Sequence, residues 1–377
     1  MTTGSPRLRL VVAAWLVIPF VVLAMLLVIA AFVREPSSAV STGSGAPTST
    51  AASSTTSVPV TVVDDVPPPT TMPPPPPPAP PTPPATPGVA GDPLRTAQSH
   101  IGQLSLEQAW PISTGADQVV AVVDTGVDLT HPDLVDRLVP GINLVTPGAP
   151  PSDDNGHGTH VAGIVAATTG NEVGVSGIAP GARIMPVKVL DATGNGSTDA
   201  IAAGIEWAVA NGATVVNLSL GDAGVGTRLT KGGQLNRAIR LAADRGVVVV
   251  AAAGNDAALE VDYRRGVDVI VVNAVDANGV PAPFTDAGDP RAVAAPGVDI
   301  LATAPTGPTT IWPSGSSGYE RLSGTSMATP IVSGVAALLL SHGIPPADVG
   351  ARLAATAIAG ADPRLGAGIV NPLAALG

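Results

Sequence analysis

A doubly wound α/β domain with a mainly parallel sheet and helices on both faces, preceded by one transmembrane helix and a disordered Pro-rich stalk, is the fold this 377-residue chain predicts. Three observations carry that expectation. Short apolar runs of β-branched character recur from residue 118 onward, with helical patterns between them. Residues 10–33 hold no charged side chain, and residues 34–93 are dominated first by Ser, Thr and Ala and then by Pro.

The N-terminal run is "LVVAAWLVIPFVVLAMLLVIAAFV", Leu10 to Val33. As a helix it is about 36 Å long, against a hydrocarbon core of roughly 30 Å. Arg7 and Arg9 precede it, while Arg34 and Glu35 follow and cancel. The positive-inside rule then places residues 1–9 in the cytoplasm and everything after residue 33 on the extracytoplasmic side of the cell membrane. A signal-peptide core of about 7–15 residues is shorter than this run, which favours an uncleaved single-pass anchor. Cleavage near Ala30 or Ala39 is the alternative, and it gives a secreted form.

Residues 34–93 include "VPPPTTMPPPPPPAPPTPPATPG". Such a segment lacks apolar periodicity and most of its backbone donors, so it builds no core. In extended polyproline II at about 3.1 Å per residue, the Pro-rich part alone spans on the order of 80 Å and makes a semi-rigid stalk.

Residues 94–377 read as the globular domain. Strand-like runs are Gln118–Asp124, Arg183–Leu190, Ala213–Leu220, Val247–Ala253 and Val267–Val275. Each is apolar on both faces, the pattern of parallel strands covered on two sides. Between them, "STDAIAAGIEWAVANG" places Ile201, Ile205 and Val209 at helical spacing and ends on Gly212. "QLNRAIRLAADRG" does the same with Leu235, Ile239 and Ala242 and ends on Gly246. Both glycines suit left-handed C-caps. In sheets of this kind, function collects in the loops at the carboxyl ends of the strands.

Composition removes several classes of function. The net charge is −11 and lysine occurs only at Lys188 and Lys231, so there is no basic stripe for nucleic acid. The chain has no cysteine, which excludes disulfides, zinc–thiolate sites and a cysteine nucleophile. Aromatic residues are 2% of the chain, so the core must come from Ala, Val, Ile and Leu.

Three loops carry chemistry. In "AVVDTGVDLTHPDL", Asp124 closes an apolar strand, where a carboxylate is costly unless a partner meets it. Alone it reads as a turn or cap. In "DDNGHGTHVAGIVAA", His157 lies between two glycines at the start of a helix. The spacing of His157 and His160 invites a metal reading, but the H-E-x-x-H pattern is absent, and His160 reads as a packed core histidine. In "RLSGTSMATPIVSGVAALLL", Ser326 opens a buried helix, where unpaired N–H groups and the helix dipole favour negative charge. Alone it reads as an N-cap. Pro330 is expected in or near the first turn, where its missing N–H costs little.

Taken together, Asp, His and Ser stand in the chain order of the subtilisin triad. "VVDTGVD", "HGTHVAG" and "GTSMATP" resemble the three motifs of the subtilisin-like serine proteases, over a stretch from about Ala97 to the C-terminus. The resemblance implies Ser326 as nucleophile, His157 as general base and then acid, and Asp124 as the group that orients the imidazole. "VVAAAGND" resembles the oxyanion-hole motif, making Asn255 a donor beside the Ser326 N–H. By the same resemblance, Gly194, Asn195 and Gly196 form one substrate rail and Ser219, Leu220 and Gly221 the other. Ala252, Ala253 and Gly254 line the specificity pocket. Asp256, Glu260 and Asp262 near its rim read either as acceptors for a basic substrate residue or as solvated loop charges.

The resemblance also implies protein or peptide substrates, chemistry that requires no cofactor, and a structural calcium held by Asp133, Asn171 and Gln98. One departure stands out: residues 34–93 lack the character of the folded propeptide that secreted members carry. A catalytically silent peptide-binding protein on the same fold is the competing reading. A lipase-type esterase is disfavoured because no G-x-S-x-G elbow occurs.

Overall fold

The computed structural model describes residues 91–220, 233–256, 268–286 and 289–377. The expected membrane span, the stalk, Gly221, Glu260 and Asp262 lie outside the described residues. Among the described residues, no single helix is long and apolar enough to cross a membrane.

The strands are β1 (Val119–Asp124), β2 (Ile142–Asn143), β3 (Arg183–Lys188), β4 (Val215–Leu218), β5 (Val248–Ala252), β6 (Ile270–Val275), β7 (Val293–Pro296), β8 (Ile300–Thr303) and β9 (Tyr319–Leu322). The first seven form one parallel sheet in the order β2-β3-β1-β4-β5-β6-β7, and β8 pairs antiparallel with β9 as a separate ribbon. The helices are α1 (Ser99–Gln103), α2 (Leu106–Ala109), α3 (His157–Ala166), α4 (Thr198–Ala210), α5 (Gln234–Asp244), α6 (Thr325–Ser341), α7 (Pro346–Thr356) and α8 (Pro372–Leu376).

Alternation along the strands divides the core into two layers. Val120, Val122, Val215, Val250 and Val272 pack with Val161 and Ile164 of α3 and with Ile331 and Val335 of α6. Their neighbours Ala121, Val123, Val216, Val249 and Ala251 face the other way, onto Ile201 and Ile205 of α4 and Leu235 and Ile239 of α5. Successive side chains point to opposite faces, so a strand covered on both faces must be apolar at every position. That is why the five runs showed no polar alternation.

Each of those runs contains a strand. Both helical patterns form helices, and Gly212 and Gly246 follow them at φ +89° and +72°. Ser197 caps α4 by accepting the Ala200 N–H at 3.1 Å. Four further strands lie outside those runs: β2 is two residues long, β7 ends in proline, β8 is the four-residue Ile300–Thr303, and β9 contains Glu320 and Arg321.

One expectation about α6 is corrected. The helix begins at Thr325, so Pro330 sits inside it rather than in its first turn. A residue there would donate its N–H to the carbonyl four positions back, that of Ser326. Proline leaves this carbonyl free, and the Ser219 hydroxyl donates to it at 2.9 Å.

The sheet order places the crevice. The chain leaves β1 toward β3 and β2 on one side and toward β4 to β7 on the other, which opens a cleft at the carboxyl ends of β1 and β4. Asp124 ends β1, Ser219 directly follows β4, and Asn255 comes just after β5.

The two core layers are separated by the sheet, so they should respond independently. Ile331→Ala and Ile205→Ala are each expected to cost about 2–5 kcal/mol in urea unfolding. The double variant should be additive within about 0.5 kcal/mol.

Candidate active site

Asp124 is fully buried. Its Oδ1 accepts from His157 Nδ1 at 2.8 Å and from the Thr125 N–H at 2.7 Å. The His157 side chain remains 22% exposed, so its other edge reaches the cleft. Burial alone would lower the His157 pKa. The charge and hydrogen bond of Asp124, with the charge of Asp153, outweigh it and hold the imidazole above its ordinary 6.5.

The strand-end loop and the start of α3 are locked together by Asp153. Its Oδ1 accepts from the Thr125 hydroxyl at 2.8 Å and from the Asn155 and Gly156 N–H groups at 3.1 and 2.8 Å. Its Oδ2 accepts from the Thr159 N–H and hydroxyl at 2.8 and 2.6 Å. The Gly158 N–H donates to Thr125 Oγ1 at 2.9 Å. A Cβ on Gly158 would overlap the Gly126 carbonyl oxygen, and Gly126 itself stands at φ +106°. These glycines let the aspartate loop and the histidine helix touch backbone to backbone.

Beneath them lies Lys188, the only lysine among the described residues and 3% exposed. Its ammonium donates to Thr125 O at 2.6 Å, Asp154 Oδ1 at 2.7 Å and Leu190 O at 2.9 Å. Neither Asp153 nor Lys188 was singled out from the sequence. A lysine inside an otherwise apolar strand run was the available signal, because a buried ammonium must be fully paired.

His160 is the packed histidine the sequence indicated. It is fully buried, its Nε2 lies 3.1 Å from both Ile300 O and Glu320 O, and burial lowers its pKa to about 3.

Ser326 is 5% exposed near the start of α6. Its hydroxyl donates to Ser219 O at 3.2 Å, while Ser219 Oγ donates to Ser326 O. Asn217 Nδ2 donates to Ser219 Oγ at 2.8 Å, and Ser333 Oγ donates to Asn217 Oδ1 at 2.8 Å. This chain fixes the end of β4 against α6. Ser326 Oγ is therefore turned toward the backbone carbonyl that follows β4.

Asn255 follows Gly254, which stands at φ +116°. Its Oδ1 accepts from the Thr325 N–H at 2.8 Å and the Thr325 hydroxyl at 3.1 Å. That commits the oxygen and leaves the amide nitrogen to face the other way. The position a Cβ would take on Gly324 lies 3.6 Å from Ser326 N and 3.8 Å from Asn255 Nδ2. Both donors thus border one small space beside the serine, which Gly324 keeps open.

Of the residues expected to form the rails, Ser219 lies against Ser326 through two hydrogen bonds. Gly194, Asn195 and Gly196 lie in a tight loop closed by Asp191 N–H to Asn195 O at 2.8 Å and Gly194 N–H to Asp191 O at 2.9 Å. Asn155 Nδ2 donates to Ala192 O at 2.9 Å, tying that loop to the histidine loop. Ser219 and Leu220 follow β4. Ala252, Ala253 and Gly254 are buried at the end of β5, and Asp256 beyond them is exposed.

Away from the cleft, the loop 170–176 wraps two buried carboxylates. Asp133 accepts from Asn171 Nδ2 and the Val175 N–H, both at 2.9 Å. Asp92 accepts from the Gly170 and Asn171 N–H groups and, at 2.6 Å, from the Ser176 hydroxyl. Burial, with the like charge of Asp92, pushes the Asp133 carboxyl up to about 6. Gln98 takes a different place from the one expected: its amide is committed to Ser176, accepting from N–H at 2.8 Å and donating to O at 3.0 Å. The carboxylates of Asp92 and Asp133 suit a hard cation such as calcium, while the Asn171 side-chain oxygen accepts from the Val173 N–H at 2.9 Å. Asp92 was not singled out from the sequence, where it reads as an ordinary residue before proline.

The Subtilase family profile matches residues 115–368. Thermitase of Thermoactinomyces vulgaris is 43% identical over 256 residues, 68% of this chain and 86% of that protein. Subtilisin Savinase of Lederbergia lenta is 45% identical over 228 residues, 60% of this chain and 77% of that protein. Among solved structures, proteases from Pseudoalteromonas arctica PAMC 21717 align with TM-score 0.67 and 33% identity, covering 78% of this chain and 99% of that one. With the family profile, these relatives and the parallel sheet in accord, this chain belongs to the subtilase family and is a subtilisin-like serine endopeptidase.

Proposed function

We propose that Asp124, His157, Ser326 and Asn255 carry peptide-bond hydrolysis in this chain, on the extracytoplasmic side of the cell membrane. The observation that carries the catalytic part is the 2.8 Å contact from His157 Nδ1 to the buried Asp124 carboxylate. That contact fixes the tautomer: Nδ1 holds the proton, and Nε2 is left as the base. Nε2 takes the Ser326 hydroxyl proton as Oγ attacks the scissile carbonyl. The oxyanion enters the space beside Gly324, where Ser326 N–H and Asn255 Nδ2 stabilise the charge that develops. The imidazolium then gives its proton to the leaving amine, and water repeats the sequence on the acyl-enzyme. The substrate adds as an extended strand between the 194–196 loop and the segment after β4, in the manner of β-augmentation.

Residues 10–33 serve as the anchor and residues 34–93 as the stalk that holds the domain off the membrane. The length and charge flanks of the apolar run support this, as does the loss of backbone donors in the Pro-rich segment. A structural calcium sits with Asp92, Asp133 and Asn171, supported by two neighbouring buried carboxylates that need a compensating charge.

The catalytic reading is tested by kinetics. Asn255→Ala should lower kcat by about 10²–10³ with KM little changed. Ser326→Ala should abolish both turnover and labelling by a fluorophosphonate. Retention of activity in Ser326→Ala would overturn the assignment.

The pH profile follows from the raised His157 pKa. His157 acts as base only when neutral, so kcat/KM should fall as pH drops through a midpoint above 6.5. A midpoint below 6 would contradict the Asp124 pairing.

Calcium at a hundredfold excess over its Kd should add about 2.7 kcal/mol of stability, removed by chelator. Asp133 has a folded pKa of about 6 against 3.8 for the ordinary group. The folded state therefore keeps its proton across that window, and the chelated protein should lose stability as pH rises through it. Asp92→Asn and Asp133→Asn should abolish the response of the melting temperature to chelator. An unchanged melting temperature in chelated wild type would exclude the cation.

A further inference from the structure

The loop joining β8 to β9, residues 304–318, plays no part in the chemistry above. It nevertheless docks on the segment that carries the catalytic histidine. The Ile311 N–H donates to Asn155 O at 2.9 Å, and the Thr310 N–H donates to Asp154 O at 3.2 Å. The Trp312 ring covers Gly156, the residue before His157; any Cβ there would meet the ring at 2.7–2.8 Å. The turn is closed on itself by the Thr309 and Gly315 N–H groups, which donate to Trp312 O at 3.0 and 2.9 Å. Ser316 Oγ donates to Pro305 O at 2.8 Å and closes its base.

A well-anchored turn that leaves apolar side chains in water calls for an explanation. Ile311 is 37% exposed and is one of the few large apolar residues so exposed among the described residues. Trp312 is only partly buried. Their position relative to the substrate follows from Asn155. Its side chain donates to the carbonyl of Ala192, two residues before Gly194, and its backbone carbonyl accepts from Ile311. In the mechanism above, His157 gives its proton to the leaving amine, so the leaving-group half of the substrate must pass the histidine segment on which the turn is docked.

We infer that Ile311 and Trp312 form an apolar wall beside His157 that selects a large apolar residue immediately after the scissile bond. This rests on the triad reading above. The wall is preformed, because backbone hydrogen bonds and the Gly156 contact fix it before substrate arrives, and a fixed apolar surface discriminates without an ordering cost.

The test uses internally quenched peptides that differ only in the residue after the cleaved bond, with Gly, Leu or Phe there. Wild type should prefer Leu and Phe over Gly by about tenfold or more in kcat/KM. Trp312→Ala and Ile311→Ser should each reduce that preference to about threefold or less, with Trp312→Phe restoring most of it. Cleavage of the Gly peptide and the rate of fluorophosphonate labelling of Ser326 should stay unchanged in all variants. An equal loss on all three peptides would mark the turn as merely structural. That result, an unaltered preference in the variants, or no preference in wild type would each overturn the inference. Failure of wild type to label at Ser326 would instead overturn the triad reading, and this inference with it.

Discussion

A carboxylate with no exposure, at the end of a central strand, is the constraint around which this domain is arranged. Asp124 gains little from solvent, and burying its charge is costly unless donors meet it. The His157 ring and the Thr125 N–H supply those donors at Oδ1. Holding the ring there requires the N-terminus of α3 to be fixed against the end of β1. Asp153 does this by gathering Thr125, Asn155, Gly156 and Thr159 onto one carboxylate. Lys188 secures the same loop from below, and its ammonium places a positive charge under a region that carries three aspartates. The Asp124–His157 pair is the visible end of a buried polar network in which Asp153 and Lys188 are fully paired, while Asp124 Oδ2 has no hydrogen-bond partner among the described residues. Such networks specify a single geometry when satisfied and are destabilising when partly satisfied.

The sheet supplies the rigid frame for that network. The three groups of the proposed site come from three separate places in the chain: the end of β1, the start of α3 and the start of α6, with Asn255 added from the end of β5. The parallel order brings these ends to one edge, and α3 and α6 pack on the same face of the sheet. The core layer under the site is built from Val, Ile, Leu and Ala with few aromatics, so it can be tightly filled by stiff, short side chains. Movement of α6 relative to β4 is opposed directly by the Ser333–Asn217–Ser219–Ser326 chain.

Legibility in the sequence followed interaction range. The strands of the core were readable because full burial forces continuous apolar runs, and helix ends were readable because Gly212 and Gly246 must adopt positive φ. Asp124, His157, Ser326 and Asn255 were singled out through local words around each residue. What escaped was fixed by contacts between distant segments. Asp153 looked like one acidic residue in a polar loop, and Lys188 like a stray charge in a strand. Asp92 shares the 170–176 loop with Asp133 only after folding. Gln98 had a suitable side chain near a suitable place in the sequence, yet its amide pairs with the Ser176 backbone in both directions. β2 and β7 were missed because two residues, or four ending in proline, carry no periodicity.

Pro330, Gly324, Gly158 and Gly156 share one physical logic. Each removes an atom or a bond, and the space or the free group is then used. Pro330 removes a helical N–H, and the Ser326 carbonyl so released receives Ser219 Oγ. Gly324 lacks a Cβ, and the opening it leaves is bordered by Ser326 N and Asn255 Nδ2. Gly158 lacks one, and α3 comes into backbone contact with the loop after β1. Gly156 lacks one, and Trp312 lies against the chain next to His157. Within a helix, local propensity penalises glycine by about 1 kcal/mol and proline by about 3, as at Gly158 and Pro330, whereas Gly156 and Gly324 stand at the N-caps of α3 and α6. Tertiary contacts offset that penalty only where a partner arrives to fill the vacancy, so the places where this sequence departs from good local design mark where its active cleft is assembled.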